Sequence, residues 1–119
     1  MGYMNQRVRR WEDTDAISLA DAKSVSGASG EGDPVEVGAR GTLLLDLTVS
    51  ALGADTTLTV TVKTSKDGTT WRTIAAFTAA TDAGAERKSF AGCDRYARAD
   101  WALANGTTTA TYSVSGDAV

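Results

Sequence analysis

Apolar and polar residues alternate along much of this chain with a period of two, the pattern of strands that bury one face of their pleat. From Thr57 to Phe77, TLTVTVKTSKDGTTWRTIAAF, Leu58, Val60 and Val62 alternate with Thr57, Thr59, Thr61 and Lys63. The turn cluster Ser65-Lys66-Asp67-Gly68 separates this run from a second β-prone run carrying Trp71, so the segment predicts a β-hairpin. Two registers fit it. An Asp67-Gly68 turn, or a loop from Ser65 to Gly68, places Trp71, Thr73, Ala75 and Phe77 on the face of Val60. A loop with a bulge at Gly68 instead sends Ile74 inward and Trp71 outward. The first register buries both large aromatics and is the expected one.

The same reasoning places a long strand over Thr42 to Leu52, with Leu43, Leu45, Leu47 and Val49 inward and Leu44 on the opposite face. Shorter strands are expected at Ala16 to Leu19, at Val35-Glu36-Val37 behind the sole proline, Pro34, and at Arg87 to Ala91 around Phe90. Ser26 to Pro34 (SGASGEGDP) and Thr78 to Ala85 read as loops, and Gly53-Ala54-Asp55 as a turn. Asn105-Gly106 is a strong hairpin signal, because a type I′ turn needs φ > 0 at both central residues. That turn would set Ala97 opposite Val114, Ala99 opposite Tyr112 and Trp101 opposite Ala110, with Arg98–Ser113 and Asp100–Thr111 on the other side. The sum is about eight short antiparallel strands with turn signals every ~8–12 residues. It predicts an all-β protein, a single β-sandwich or jelly-roll-like domain over residues 14–119, with no helical period and no internal repeat. Residues 1–13, MGYMNQRVRRWED, differ in composition and read as an N-terminal arm carrying Arg7, Arg9, Arg10 and Trp11. The arm is either a frayed terminus or a strap against a neighbouring subunit, anchored by Trp11 with the arginines on carboxylates.

A chain of 119 residues with 42% apolar content suits one domain with its own core. The formal charge of −3 argues against a surface built to grip nucleic acid. With Cys93 as the only cysteine, no intramolecular disulfide forms, and folding in a reducing cytoplasm is expected. Cys93 itself reads as a small apolar residue where a strand begins. No apolar run is long enough to span a bilayer and no signal-peptide pattern opens the chain, so no membrane partner is expected. The absence of histidine removes Ser-His-Asp, Cys-His and zinc-His chemistry.

The remaining motifs read as structure. Ser65-x-Asp67-Gly68-x-x-Trp71 is close to an Asp-box turn with one residue missing, a pattern in which the carboxylate bonds turn amides. Trp11, Trp71 and Trp101 could build a sugar-stacking platform, but Trp71 and Trp101 have inward parity. Glu31, Asp33 and Glu36 match no calcium loop. The loop pairs Glu12/Asp13 and Glu31/Asp33 lack environments that would separate their pKa values, and Gly27, Gly30 and Gly32 follow no strand–turn–helix unit. No catalytic residue, cofactor or metal is expected. Arg87/Lys88 and Arg9/Arg10 read as ion-pair formers, and Arg95 and Arg98, beside Asp94 and Asp100, as a charge ladder on an exposed face.

The run RKSFAGCDRYARADWALANGTTTATYSVSGDAV, with the SKDGTTW turn, resembles small β-sandwich proteins of tailed bacteriophages and prophages. Those proteins carry a D-G-x-x-W hairpin, a G-x-x-R-Y-x-R strand and a Thr-rich final strand ending in Ser-Gly. The match covers roughly Leu43 to Gly116 and transfers no catalytic residue; the basic arm and the Gly-rich stretch before Pro34 depart from it. The resemblance implies a non-enzymatic virion protein folded in the bacterial host cytoplasm: a capsid decoration (cement) protein on the head, or a neck or tail component. Its implied partners are the major capsid protein and further copies of itself, with a trimer as the common arrangement. Arg7, Arg9, Arg10 and Trp11 are the expected contacts. A carbohydrate-binding or adhesion module is the alternative, and it requires an exposed Trp71 or Trp101.

Overall fold

The computed structural model describes residues 15–38 and 41–119, so the arm and its candidate contacts Arg7, Arg9, Arg10 and Trp11 lie outside the described residues. The described chain is all-β, with nine strands: β1 (Asp15–Ser26), β2 (Ser29–Gly30), β3 (Val35–Glu36), β4 (Thr42–Leu52), β5 (Thr57–Ser65), β6 (Arg72–Ala76), β7 (Gly84–Ala91), β8 (Tyr96–Ala104) and β9 (Thr109–Ala118). They form two antiparallel sheets. The first has the order β1-β9-β4-β7; in the second, β6, β5 and β8 are followed by β2 and β3, both paired to the outer edge of β8. Among sequence neighbours only β5 and β6 pair; every other connection crosses between sheets or follows an edge.

The alternation read from the sequence builds the core. Leu43, Leu45, Leu47 and Val49 of β4 and Tyr112 and Val114 of β9 bury from one sheet. Leu58, Val60 and Val62 of β5 and Ala97, Ala99 and Leu103 of β8 bury from the other. Leu44 is on the outer face and exposed, as its parity requires. Phe77 and Phe90 close one side edge-to-face, their centroids 5.0 Å apart. Beside them, the edge strand β7 turns Lys88 and Glu86 inward, opposite Leu45 and Leu47. Lys88 Nζ donates to the carbonyl of Ala76 at 2.6 Å, and Glu86 accepts from the amide of Thr78 at 2.9 Å, so these charges join the sheets at their rims. The Tyr112 hydroxyl is buried without a hydrogen-bond partner among the described residues, and burial pushes its pKa up to about 12.

Two expectations about register fail. The Asn105-Gly106 turn does have φ > 0 at both residues, 64° and 55°. Yet β8 and β9 do not pair: they belong to opposite sheets. Arg98 and Asp100 therefore stand opposite Lys63 and Thr61 of β5, not Ser113 and Thr111. The cause is next door. Thr108 is also left-handed, with φ 48°, and the donors that would start a hairpin ladder go to the β4–β5 crossover instead. Thr107 N donates to Ala54 O at 3.2 Å and Thr108 N to Thr56 Oγ1 at 3.1 Å, while Gly53 N donates to Thr109 O at 2.8 Å. Two crossovers at one end of the sandwich thus satisfy each other's backbone groups.

The second failure is in the β5–β6 hairpin. Val62 pairs with Ala75 but Lys63 pairs with Thr73, leaving Ile74 as an extra residue. Phe77 and Ala75 keep the inward parity expected of them. Past the bulge the parity inverts, so Thr73 lies beside Lys63 on the outer face and Trp71 comes to lie against Arg98 there. Smaller differences are that β1 runs to Ser26 through two register shifts, and that the Gly-rich stretch contributes β2.

Candidate interaction surfaces

The outer face of the β5–β8 sheet carries a connected cluster of polar side chains. Lys63, Arg98 and Asp100 project from it by strand parity, and the Glu31–Pro34 segment lies along the β8 edge between β2 and β3. Gly32 is what lets it close: a Cβ there would sit 2.1 Å from the carbonyl oxygen of Ala99. From this position Gly32 N donates to Asp100 Oδ1 at 3.1 Å, and Glu31 meets Arg98 Nη2 at 3.1 Å. Lys63 Nζ lies 3.3 Å from Asp100 Oδ2. Arg98 Nε lies 3.0 Å from Asp100 Oδ1 as an ion pair, off the line that a hydrogen bond needs. Of the ladder expected among Arg95, Arg98, Asp94 and Asp100, only Arg98 and Asp100 meet: Arg95 pairs with Glu36 and Asp94 with Arg72, and the Arg98 side chain is only 10% exposed, where an open face was expected. Trp71 covers it: the guanidinium carbon is 4.5 Å from the indole centroid. Sequence parity missed this cluster because it depends on the Ile74 bulge and on a loop with no side-chain signal beyond small size.

The turn after β5 behaves as its motif predicts. Ser65 donates to Asp67 Oδ1 at 2.9 Å and accepts from Gly68 N at 2.8 Å. Asp67 Oδ1 also accepts from Thr69 N at 2.8 Å and Thr70 N at 2.9 Å. These donors, led by the Thr70 and Thr69 amides, lower the Asp67 pKa from 3.8 to about 2. A carboxylate whose folded pKa is depressed adds stability that is fully present above its unfolded value. That stability is lost as pH falls from about 3.8 through about 2. Asp67→Asn is therefore expected to lower Tm at neutral pH, with the gap from wild type closing across that acid window. A gap of constant size down to the acid end would contradict the carboxylate's role.

Trp101 lies opposite Val60 with its inward parity intact, half-buried against the core and against Gly30. Trp71 is half-buried on the outer face. Glu31 and Glu36 are engaged by Arg98 and Arg95, and no group of three potential metal-ligating side chains gathers among the described residues. Arg87 and Lys88 point to opposite faces, Arg87 onto Asp46 at 2.8 Å. Cys93 is buried beside Thr64, and burial raises its thiol pKa.

All four sheet edges are blunted. β1 is bulged twice and turns Lys23 toward the side of buried Tyr112; β7 carries Lys88 and Glu86 inward; β6 has the Ile74 bulge; and Glu31–Pro34 interrupts the β2–β3 edge. Bulges and inward charges of this kind block strand addition. Loops and sheet faces are left as the surfaces for contact.

No protein-family model matches the chain, and no curated protein matches it. Solved structures do. A chain of infectious bursal disease virus, Gx strain, aligns with 87% of this chain at 16% identity and a TM-score of 0.53. The VP2 subviral particle of infectious bursal disease virus aligns over 87% at 14% identity and 0.51. The PBSX exported protein XepA aligns over 87% at 15% identity and 0.47. This chain spans only 31%, 31% and 34% of those chains. At such identities the likeness is one of fold: the two-sheet sandwich is an architecture that recurs in the infectious bursal disease virus chains.

Proposed function

We propose that this protein is a non-enzymatic structural component of a virion, a decoration protein that binds the outside of an assembled head. The observation that carries the reading is the fold likeness to a VP2 chain taken from a subviral particle, at a TM-score of 0.51. The resemblance of the Leu43–Gly116 punctuation to phage β-sandwich proteins supports it. In this reading the sandwich is rigid bulk whose blunted edges keep copies from polymerising through their strands. Arg7, Arg9, Arg10 and Trp11 then reach a capsid subunit and enlarge a small footprint, and many copies on a symmetric lattice add avidity. The major capsid protein is the partner, neighbouring copies of this chain are secondary contacts, and a trimer is the expected assembly.

Charge favours this division of labour. Residues 14–119 hold 9 Lys and Arg against 13 Asp and Glu, a net of −4, whereas residues 1–13 hold three arginines against Glu12 and Asp13, a net of +1. Removing residues 1–13 is expected to abolish binding to heads while leaving Tm unchanged. Full binding by the truncated chain would overturn the assignment of the arm.

A further inference from the structure

We propose that the groove between the β5–β6 turn and the β7–β8 loop is a saccharide-binding subsite that takes a neutral hexopyranose unit. This assignment is independent of the virion reading. The groove has a volume of about 320 Å³, at the small end of the range for small-molecule sites. Trp71 borders it, and Arg98, itself fixed by Asp100 and Glu31, packs on one face of the indole ring and holds it in place. A sugar ring offers an apolar C–H face to such an aromatic surface, at little entropic cost to a side chain already ordered.

The rim selects the ligand class. Lys66, Asp67, Thr70, Arg72 and Asp94 all line the groove. Described residues engage only Oδ1 of Asp67 and only Oδ2 of Asp94. Of the Arg72 guanidinium they engage only Nη2, which donates to Gly92 O and Asp94. The opposite carboxylate oxygens, the remaining arginine N–H groups, the Thr70 hydroxyl and the Lys66 ammonium are left for a ligand. Donors and acceptors are thus interleaved around an aromatic wall, which suits hydroxyls that both donate and accept. An apolar ligand would bury these groups unpaired, at a cost that its own burial would not offset. A strongly charged ligand would meet two cations and two anions in one rim. The geometry is also preorganised: the Ser65–Asp67 network fixes one wall, and the Arg72–Asp94 pair, with Thr64 donating to Tyr96 O at 2.7 Å, fixes the other.

The test uses the full chain on an array of neutral oligosaccharides, followed by NMR titration with each saccharide retained. The expected result is saturable binding that shifts the Trp71 indole N–H and the amides of residues 64–72 and 94. Trp71→Ala should weaken binding about tenfold or more, the size of one aromatic contact. Asp94→Asn, a milder change, should weaken it while the amide spectrum stays that of the folded protein. Retention of no saccharide overturns the proposal. So does binding whose shifts fall outside this groove and survive both substitutions.

Discussion

Phe90→Ala is expected to destabilise the protein by about 3–5 kcal/mol, the usual cost of deleting a buried aromatic side chain. Phe90 is 1% exposed, lies opposite Leu43 and meets Phe77 edge-to-face at 5.0 Å. It is also the last inward residue before β7 ends, on the side where the two sheets share no ladder. There the closure depends on Phe77 against Phe90 and on the two rim contacts, Lys88 to Ala76 O and Glu86 to Thr78 N. Removing the ring leaves a void that the neighbouring edge strand cannot fill without moving. Denaturant unfolding of the full chain measures the effect. A loss under about 1 kcal/mol, the level of an ordinary substitution, would mean that this side of the sandwich is not closed as described.

Gly32→Ala is the second large effect, and its cause lies in the backbone. The new methyl group would lie 2.1 Å from the Ala99 carbonyl oxygen, so either the Glu31–Pro34 segment lifts or β8 shifts. Overpacking of this sort costs about 1–3 kcal/mol. Lifting the segment also breaks the Gly32–Asp100 hydrogen bond at 3.1 Å and pulls Glu31 from Arg98. The variant should therefore lose stability and, in addition, loosen Arg98 under Trp71, visible as faster amide exchange in β8 and a shifted Trp71 indole signal. Wild-type stability together with an unmoved indole would show that the segment is not held down at Gly32.

Much of this architecture can be read from residues alone, and the exceptions share a cause. The β4 strand has the bounds its alternation implies, Thr42 to Leu52, because every second residue must be apolar to face the other sheet. The Ser65–Gly68 turn is equally legible, since its carboxylate and hydroxyl act on amides within a few residues. What fails is whatever depends on a distant partner. Asn105-Gly106 encodes a left-handed turn, yet whether the flanking strands pair is decided by where the donors of Thr107 and Thr108 go, and they go to β4–β5. The Ile74 bulge has no glycine or proline to mark it, and it reverses the side on which Trp71 lies. The run SGASGEGDP reads as loop because it is small and polar. Its small residues in fact allow close approach to β8, with Gly30 against the Trp101 ring and Gly32 against Ala99. Arg98 follows from both failures: its burial needs the bulge that brings Trp71 over and the loop that brings Glu31.

The virion reading divides in the same way. The sandwich and its blunted edges follow from pattern and pairing, while the arm is assigned on composition and charge, and the head surface on resemblance.

The proposed role requires this chain to sit on a viral head. The measurement that bears on it most directly is quantitative mass spectrometry of viral particles purified from cells that carry its gene, giving copies of this chain per copy of the major capsid protein. A decoration protein is expected at a stoichiometry comparable to that of the major capsid protein. A few copies per particle, or none, would contradict a place on the head lattice.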